Sequence, residues 1–141
     1  MIEEIFTDLA PLSDKLGVTL TAEGDGVMAG SDALIYRLVF NLAENAIKYN
    51  HSGGSVRVSV AQEPKKLLLR VSDTGCGIPK AYRRSIFQPF FRVDKSRSRE
   101  YGGAGLGLSL VWEIANLHGG SVWVEESSEK GTVIAVELAA Q

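Results

Sequence analysis

Apolar residues repeat at helical spacing in three stretches of the chain, and each stretch predicts an amphipathic helix. The first covers residues 2–16, where Pro11 is expected to kink or split the helix and Gly17 to end it. The second covers residues 32–49, and its predicted buried face consists of Leu34, Ile35, Leu38, Val39, Leu42 and Ala46. The third begins in a run of glycines, and its apolar positions are Leu106, Leu110, Val111, Ile114 and Leu117.

Shorter segments between the helices alternate apolar and polar residues or are apolar throughout, which is typical of strands. These segments are 18–22, 27–29, 55–61, 66–72, 121–126 and 132–138. The apolar run of 66–72 predicts a central position in the sheet, and Glu63 and Pro64 favour a turn before it. Helices and strands do not alternate strictly, so a doubly wound fold is not expected. The order predicts an α/β fold, a two-layer sandwich whose mixed, mostly antiparallel sheet carries its helices on one face.

Composition and charge narrow the classes of function. The 141 residues suit one domain, residues 1–141. With 15 Lys and Arg against 17 Asp and Glu, the net charge is −2, which argues against nucleic-acid binding. Cys76 is the single cysteine, so no disulfide forms within the chain. No apolar run approaches the about 18 residues of a membrane span. We therefore expect a soluble, monomeric, cytoplasmic chain that does not itself bind a membrane.

The stretch DTGCGIP (73–79) places a carboxylate at the end of the apolar strand and follows it with two glycines. Asp and Gly both favour turns, so a simple strand-ending turn is one interpretation. A carboxylate at the mouth of a buried strand is also a strong acceptor for a ligand N–H group. Taken alone, the stretch leaves both interpretations open.

The glycine run GGAGLGL (102–108) opens the third predicted helix. It is not a Walker loop, because no Gly-Lys-Ser/Thr follows, and it does not have the spacing of a dinucleotide fingerprint. Exposed N–H groups at a helix N-terminus still favour an anion such as phosphate. A tight packing contact of the helix is the alternative.

A second stripe runs along one flank of the predicted helix 32–49 and contains Asn41, Asn45, Lys48 and Tyr49. Two amides one turn apart can bond each other or the backbone. Their oxygens can equally bind Mg²⁺, which prefers oxygen ligands and shares itself with phosphate oxygens. Lys48 is either a phosphate-binding cation or an ordinary surface lysine.

Four motifs in order resemble those of the catalytic, ATP-binding domain of sensor histidine kinases. That domain belongs to a wider ATPase family with DNA gyrase, the ninety-kilodalton heat-shock chaperone and the mismatch-repair ATPases. NLAENAIKY (41–49) resembles the asparagine box, DTGCGIP (73–79) the first glycine box, IFQPFFRVD (86–94) the phenylalanine box and GAGLGL (103–108) the second glycine box. The resemblance covers nearly the whole chain and implies the ATP-binding sandwich known as the Bergerat fold.

The resemblance implies a nucleotide-binding role for residues of the first glycine box. Asp73 would accept the exocyclic amine of adenine and so select ATP over GTP, whose base presents an oxygen there. Gly75 and Gly77 would let the backbone lie close to the base. Ile78 would join the nucleotide site, and Cys76 would be an inert filler between the glycines.

The resemblance also implies the metal and phosphate groups. Asn41 and Asn45 would bind Mg²⁺, Lys48 would meet phosphate and Tyr49 would lie against the adenine or ribose. A third group would wrap or touch the phosphates, and it consists of Arg92, Gly103, Gly105, Leu106, Gly107 and Leu108. Residues 94–102 would form the ATP lid, with Phe87, Phe90 and Phe91 as core or hinge aromatics. Asn41, Lys48 and Arg92 would be the catalytic residues.

Some positions depart from the family pattern. Asn41 stands where hydrolysing relatives carry a glutamate, which implies weak intrinsic ATP hydrolysis and transfer to a better nucleophile. Neither His51 nor His118 matches the phosphoacceptor motif, and His118 with Gly119 is more typical of a helix C-terminal cap. Ala104 replaces a common hydroxyl residue, which bears on ATP affinity. Glu44 is expected to be a surface acid.

The expected enzyme is therefore a protein histidine kinase catalytic domain that lacks its own phosphoacceptor. Residues 1–16 would follow a dimerisation domain that carries the histidine, and a response regulator would receive the phosphoryl group later. The expected location is the cytoplasm, and the catalytic domain of a membrane-anchored sensor would lie there as well. The alternatives are an anti-sigma-type serine kinase and a nucleotide-binding module that transfers nothing.

Overall fold

The computed structural model describes residues 1–24, 32–88 and 107–139. Its helices are α1 (Ile2–Leu16), α2 (Asp32–Lys48) and α3 (Gly107–Leu117). Its strands are β1 (Thr19–Glu23), β2 (Ser55–Gln62), β3 (Lys66–Asp73), β4 (Ser121–Ser128) and β5 (Gly131–Ala139). Two short 3₁₀ turns, Lys80–Tyr82 and Ser85–Phe87, follow β3. The expected short strand at 27–29 lies outside the described residues.

The strands form one sheet in the order β1-β2-β3-β5-β4. β1 runs parallel to β2, and the other neighbouring pairs are antiparallel. The prediction of a mixed, mostly antiparallel sheet is confirmed, and β3 is its middle strand as its apolar run indicated. The register pairs Asp73 with Thr132, so the end of β3 lies beside the start of β5.

The two faces of the sheet differ in what covers them. On β3 the side chains of Leu67, Leu69 and Val71 are buried, and they belong to the same core as the buried faces of the helices. On the other face Arg70 forms an exposed ion pair with Glu125 of β4. The predicted two-layer arrangement is thus confirmed.

Helix α2 lies between α1 and α3 and supplies much of the core. The predicted buried residues are confirmed except for Leu34, which is 37% exposed. Ala43 and Ile47 are buried in addition. With Ala43 and Ile47 included, the centre of the buried arc lies further from Leu34. Leu34 has helical spacing with Asn41 and Asn45 and lies on the same flank of α2.

Helix α1 continues through Pro11, so the expectation of a split is wrong. Residue 11 is exposed, and on that side a carbonyl that loses its helical partner can bond water. The helix ends at Gly17, whose φ of 69° is left-handed, as predicted. Ile5 and Leu9 bury the inner face of α1 against the core.

Helix α3 buries Val111, Ile114 and Ala115, whereas Leu117, one of the apolar positions that predicted the helix, is 76% exposed. Leu117 is the last residue of α3 and lies at the edge of the buried arc, where no neighbouring turn covers it. The predicted cap is confirmed: Nδ1 of His118 lies 2.8 Å from the carbonyl oxygen of Ile114, and Gly119 has a φ of 69°. Phe87 is buried in the core, whereas Phe90 and Phe91 lie outside the described residues.

Candidate nucleotide-binding site

Asp73 ends the middle strand half-buried, and the protein holds one of its carboxylate oxygens. Oδ1 accepts hydrogen bonds from the backbone N–H of Gly75 at 2.9 Å and of Thr132 at 3.3 Å. No donor within the described part of the chain bonds the second oxygen, Oδ2. The carboxylate is therefore held in place while one oxygen can accept a hydrogen bond from a ligand.

Burial raises the pKa of the Asp73 carboxyl above its ordinary value. The bonds from Gly75 and Thr132 lower the pKa but only partly oppose that rise. The cause is desolvation, which disfavours the charged form of a carboxyl group. Acidification toward this raised pKa adds a proton to the group and so weakens it as an acceptor.

Gly75 and Gly77 let the loop after β3 approach backbone on two sides. A Cβ added at Gly75 would lie 2.4 Å from the carbonyl oxygen of Tyr49, just after α2. A Cβ added at Gly77, where φ is +77°, would lie 2.1 Å from the carbonyl oxygen of Ser128. Packing within the protein thus already requires both glycines. Their expected closeness to a base stays a prediction.

Asn50 fixes the N-terminal side of this loop, a role that its sequence pattern did not indicate beyond ending a helix. The side chain is 7% exposed; Oδ1 accepts bonds from Thr74 Oγ1 at 3.1 Å and the His51 N–H at 2.8 Å. Nδ2 donates to the carbonyl oxygen of Ser55 at 2.9 Å. Gly54 is the signal in the sequence that was missed. A Cβ added at Gly54 would lie 2.2 Å from Oδ1 of Asn50, so a glycine is needed there for the Asn50 side chain to fit.

The β4–β5 hairpin holds the C-terminal side of the loop. The N–H of Ile78 donates to Ser127 Oγ at 2.7 Å, and that oxygen lies 2.8 Å from Thr132 Oγ1. The carbonyl oxygen of Ser127 accepts a bond from Arg83 Nη2 at 2.9 Å. Sequence spacing did not point to Ser127 or Thr132, because the pairing of β3 with β5 brings Thr132 to the loop and the pairing of β5 with β4 brings Ser127.

The amide side chains of Asn41 and Asn45 lie one turn apart on α2 and are half-buried. Within residues 1–24, 32–88 and 107–139 neither amide makes a side-chain hydrogen bond, so the mutual or backbone bonding weighed as an alternative is absent there. The backbone joins this end of α2 to the loop: the Tyr49 N–H donates to the Asn45 carbonyl oxygen at 3.2 Å, and the Tyr49 carbonyl oxygen accepts the Cys76 N–H at 3.4 Å.

The two amides fit a hard cation that takes its remaining ligands from water and phosphate. No group of three or more His, Cys, Asp or Glu side chains in the described ranges is arranged to hold a metal ion. A cation on this flank would use the amide oxygens, which Mg²⁺ accepts as ligands, and would keep several waters or phosphate oxygens. Donor chemistry thus matches an ion shared with a nucleotide.

Lys48 forms an ion pair with Glu44, one turn earlier on α2, at an N–O distance of 3.5 Å. Their side chains are 20% and 33% exposed. Glu44 is therefore only partly at the surface, and it has a partner that the expectation of a plain surface acid did not include. A partly exposed pair at this spacing is weak, so phosphate can replace the carboxylate as the partner of Lys48.

A shallow cleft of about 410 Å³ adjoins the loop and is lined in part by Tyr49, Gly75 and Cys76. Cys76 is exposed, and the fold brings His51, which is distant in sequence, to the same cleft. Asp73 does not line it. The expectation that Cys76 is inert stays a prediction.

The second glycine box is described only at its end. Gly107 is the first residue of α3, and a Cβ added there would meet no atom within 4 Å. Leu108 is partly buried and packs against the core, as does Ile78. The remaining predicted positions lie outside the described residues; they are Arg92, residues 94–102, Gly103, Ala104, Gly105 and Leu106.

The chain matches the family of histidine kinase-, DNA gyrase B- and HSP90-like ATPases over residues 30–141. It therefore belongs to this family, and membership implies ATP binding. Among the described residues no helix is long and apolar enough to cross a membrane.

Similar proteins narrow the class to histidine kinases. The chain is 38% identical over 98% of its length to the sensor histidine kinase RppB of Synechocystis sp., and covers 31% of that protein. It is 42% identical over 74% of its length to the sensor histidine kinase WalK of Bacillus subtilis, and covers 17% of it. The nucleotide-free catalytic domain of histidine kinase ThkA superposes with a TM-score of 0.83 at 27% identity, covering 98% of this chain and 89% of that one. Sequence and fold are thus those of a sensor histidine kinase catalytic domain, and the chain spans less than a third of these two curated relatives.

Proposed function

We propose that this chain binds ATP with Mg²⁺ and donates the γ-phosphoryl group to a histidine on a separate dimerisation domain. A response-regulator aspartate would receive the phosphoryl group in a later step. The catalytic part would act in the cytoplasm. Family membership supports the ATP part of this proposal, and the names of the relatives support the choice of histidine as acceptor.

The base end of the proposed site is formed by Asp73 and the loop that follows it, where adenine would bind. The observation that supports this part of the proposal is the arrangement of the Asp73 carboxylate. Its Oδ1 is held by two backbone N–H groups while Oδ2 has no donor among the described residues. The exocyclic amine of adenine supplies the missing donor, whereas guanine presents an oxygen that a carboxylate repels. A charge-assisted bond from a half-buried carboxylate gives the site its preference for ATP. Ile78 and Tyr49 would contact the same base.

The flank of α2 would supply the phosphate end. Asn41 and Asn45 would hold Mg²⁺, which when bound neutralises charge on the phosphate oxygens. Lys48 would exchange Glu44 for a phosphate oxygen, and the backbone at 103–108 and Arg92 would complete the phosphate contacts. Gly107 and Leu108 form the described end of that segment. Catalysis in such a site is positioning and charge stabilisation.

In the transfer step, a ring nitrogen of the acceptor histidine attacks the γ-phosphorus. A phosphorus–nitrogen bond forms, the bond from that phosphorus to the bridging oxygen breaks, and ADP leaves. The proton of the attacking ring passes to a base of the partner domain or to water. Asn41 carries no basic group where a hydrolysing enzyme needs one, so water is a poor competitor. His118 is not the acceptor in this proposal, because its sequence context does not match the phosphoacceptor motif and its Nδ1 lies 2.8 Å from the Ile114 carbonyl oxygen at the end of α3.

The test has two parts, binding and transfer. Calorimetric titration should give tighter binding of ATP than of GTP, and Mg²⁺ should strengthen it. A single-turnover reaction with γ-labelled ATP and a purified histidine-bearing dimerisation domain should then label that domain. The label should be lost in acid and kept in base, as a phosphoramidate is.

Three outcomes contradict the proposal. Label that survives acid on a serine or threonine assigns the chain to the serine kinases. Tight ATP binding without label on any supplied acceptor assigns it to modules that bind and do not transfer. Equal affinity for ATP and GTP removes the role of Asp73.

A further inference from the structure

We propose that Ser127 is a positioning residue for the base end of the nucleotide site. The proposal rests on the function proposed above, because it assigns a role in that site to a residue outside it. Ser127 lies near the end of β4, 49 residues beyond Ile78, and none of the motifs includes it. It would act through the loop that follows Asp73.

The side chain of Ser127 joins two elements that flank Asp73. Its Oγ accepts the N–H of Ile78 at 2.7 Å and lies 2.8 Å from the hydroxyl of Thr132. The N–H of Thr132 in turn bonds Asp73 Oδ1 at 3.3 Å. The Ser127 hydroxyl therefore links the loop at Ile78 to β5, the strand whose Thr132 N–H bonds the Asp73 carboxylate.

The backbone of the same strand end holds the loop a second time. The carbonyl oxygen of Ser127 accepts Arg83 Nη2 at 2.9 Å, and the next carbonyl, of Ser128, lies where a Cβ of Gly77 would be. Arg83 Nε is buried without a hydrogen-bond partner within the described residues. The bond from Arg83 Nη2 to the Ser127 carbonyl oxygen anchors Arg83, and with it the loop, to the β4–β5 hairpin.

Base binding and phosphate binding should respond differently to loss of the Ser127 hydroxyl. The contacts of Ser127 described above reach the loop and β5, and none reaches Asn41, Asn45 or Lys48 on α2. A loop released at Ile78 weakens the hold on the base, whatever number of phosphates the ligand carries. A smaller folded fraction would also weaken ATP and ADP equally, so affinities are compared at a temperature at which urea titration shows every variant to be folded.

The test compares Ser127→Ala with Ser127→Thr and with the matched control Ser128→Ala. Ser128 is the exposed neighbour, and its Oγ accepts only the N–H of Lys130 at 3.1 Å among described contacts. We expect Ser127→Ala to weaken ATP and ADP by the same factor, roughly 3- to 10-fold, with and without Mg²⁺. Ser127→Thr keeps the hydroxyl and should restore affinity to within about twofold of wild type, and Ser128→Ala should leave it unchanged.

Hydrogen exchange at the Ile78 amide in the nucleotide-free protein supplies the second readout. This amide should exchange at least about tenfold faster in Ser127→Ala than in wild type, because it loses its acceptor. Wild-type affinity in Ser127→Ala, or a Ser127→Thr variant as weak as the alanine variant, would overturn the positioning role. If wild type binds no adenine nucleotide, the proposed function fails and the positioning role falls with it. Failure of the Ser127 proposal alone is distinguishable, because wild-type ATP binding then persists.

Discussion

The two ends of the candidate site are built in opposite ways. At the base end, the loop after β3 is bonded on both sides, through Thr74 to Asn50 and through Ile78 to Ser127. At the metal end, Asn41 and Asn45 make no side-chain hydrogen bond among the described residues. The backbone of the base end is therefore held in place before a ligand arrives, and only Oδ2 of Asp73 is left for one, whereas the side chains at the metal end are not held by other groups of the described residues.

This difference means that the groups at the base end are preorganised for a ligand, whereas the amides at the metal end are not held in place by the rest of the described protein. A fixed acceptor such as Asp73 would lose little conformational freedom on binding, so the proposed bond to a base would form at small entropic cost. The amides of α2 cost little while water solvates them, because they are only half-buried. Substitutions that remove the packing or the hydrogen bonds of the base-end loop should therefore lower stability as well as affinity, whereas substitutions of the two amides on α2 should lower affinity without lowering stability.

The largest effect is expected from Gly77→Ala, which disrupts the packing of the base-end loop against the β4–β5 hairpin. The new Cβ would meet the Ser128 carbonyl at 2.1 Å, and the backbone is left-handed. We expect a loss of about 2–4 kcal/mol of unfolding free energy from strain and overlap together, measured by urea denaturation. Gly53→Ala is the matched control, since its φ is +87° and nothing lies within 4 Å of its Cβ. Equal losses in the two variants would show that the contact with Ser128 is unimportant.

Asp73→Asn should separate base recognition from stability. The asparagine amide keeps an oxygen that accepts from the Gly75 and Thr132 N–H groups. In place of Oδ2 it has an NH₂ group, which is a donor and cannot accept a bond from the adenine amine. ATP affinity should fall by about 1.5–3 kcal/mol, and the preference for ATP over GTP should shrink. Stability at neutral pH should not fall, because the variant removes a charge that burial disfavours. An unchanged dissociation constant for ATP would refute the base-reading role, and Asp14→Asn serves as the exposed control.

Asn45→Ala should break the metal end and leave the fold intact. The tightening of ATP binding by Mg²⁺ should disappear, with Mg²⁺ affinity at least about tenfold weaker. Stability should stay the same or rise by up to about 0.7 kcal/mol, because Ala is the better helix former. Asn116→Ala on α3 is the control for loss of a helical asparagine. Persistence of the Mg²⁺ effect in Asn45→Ala would remove the metal assignment.

The smallest effect is a dependence of stability on pH. The raised pKa of Asp73 means that the folded protein binds this proton more tightly than the unfolded chain does. Its stabilising effect is fully present below the unfolded pKa and is lost as pH rises through the raised folded pKa. The unfolding free energy of wild type relative to Asp73→Asn should therefore decrease with rising pH across that window. A difference that is constant or increases would contradict the assigned cause, which is burial.

Sequence patterning predicted what depends on local periodicity. The middle position of β3 followed from its apolar run, and the end of α1 followed from Gly17. Leu34 was predicted to be buried and is 37% exposed, because it lies at the edge of the buried arc, where spacing alone does not show which neighbours cover it.

The parts of the site that sequence reasoning missed depend on contacts distant in the chain. Thr132 reaches Asp73 across 59 residues and Ser127 reaches Ile78 across 49, through strand pairing that no motif encodes. Gly75 and Gly77 were found, but the structure gives them a reason in protein packing that the motif did not supply. Motifs therefore indicated the groups proposed to bind a ligand, and the fold shows what holds the described ones in place.

One NMR experiment tests the contrast between the two ends most directly. In the nucleotide-free protein the backbone amides of Gly75, Ile78 and Thr132 should already exchange slowly with solvent. Addition of Mg²⁺ with a non-hydrolysable ATP analogue should shift the side-chain amide signals of Asn41 and Asn45 and leave that slow exchange within about twofold. Fast exchange of the three backbone amides before binding, or an unshifted Asn45 side chain after it, would contradict a preformed base end and a ligand-completed metal end.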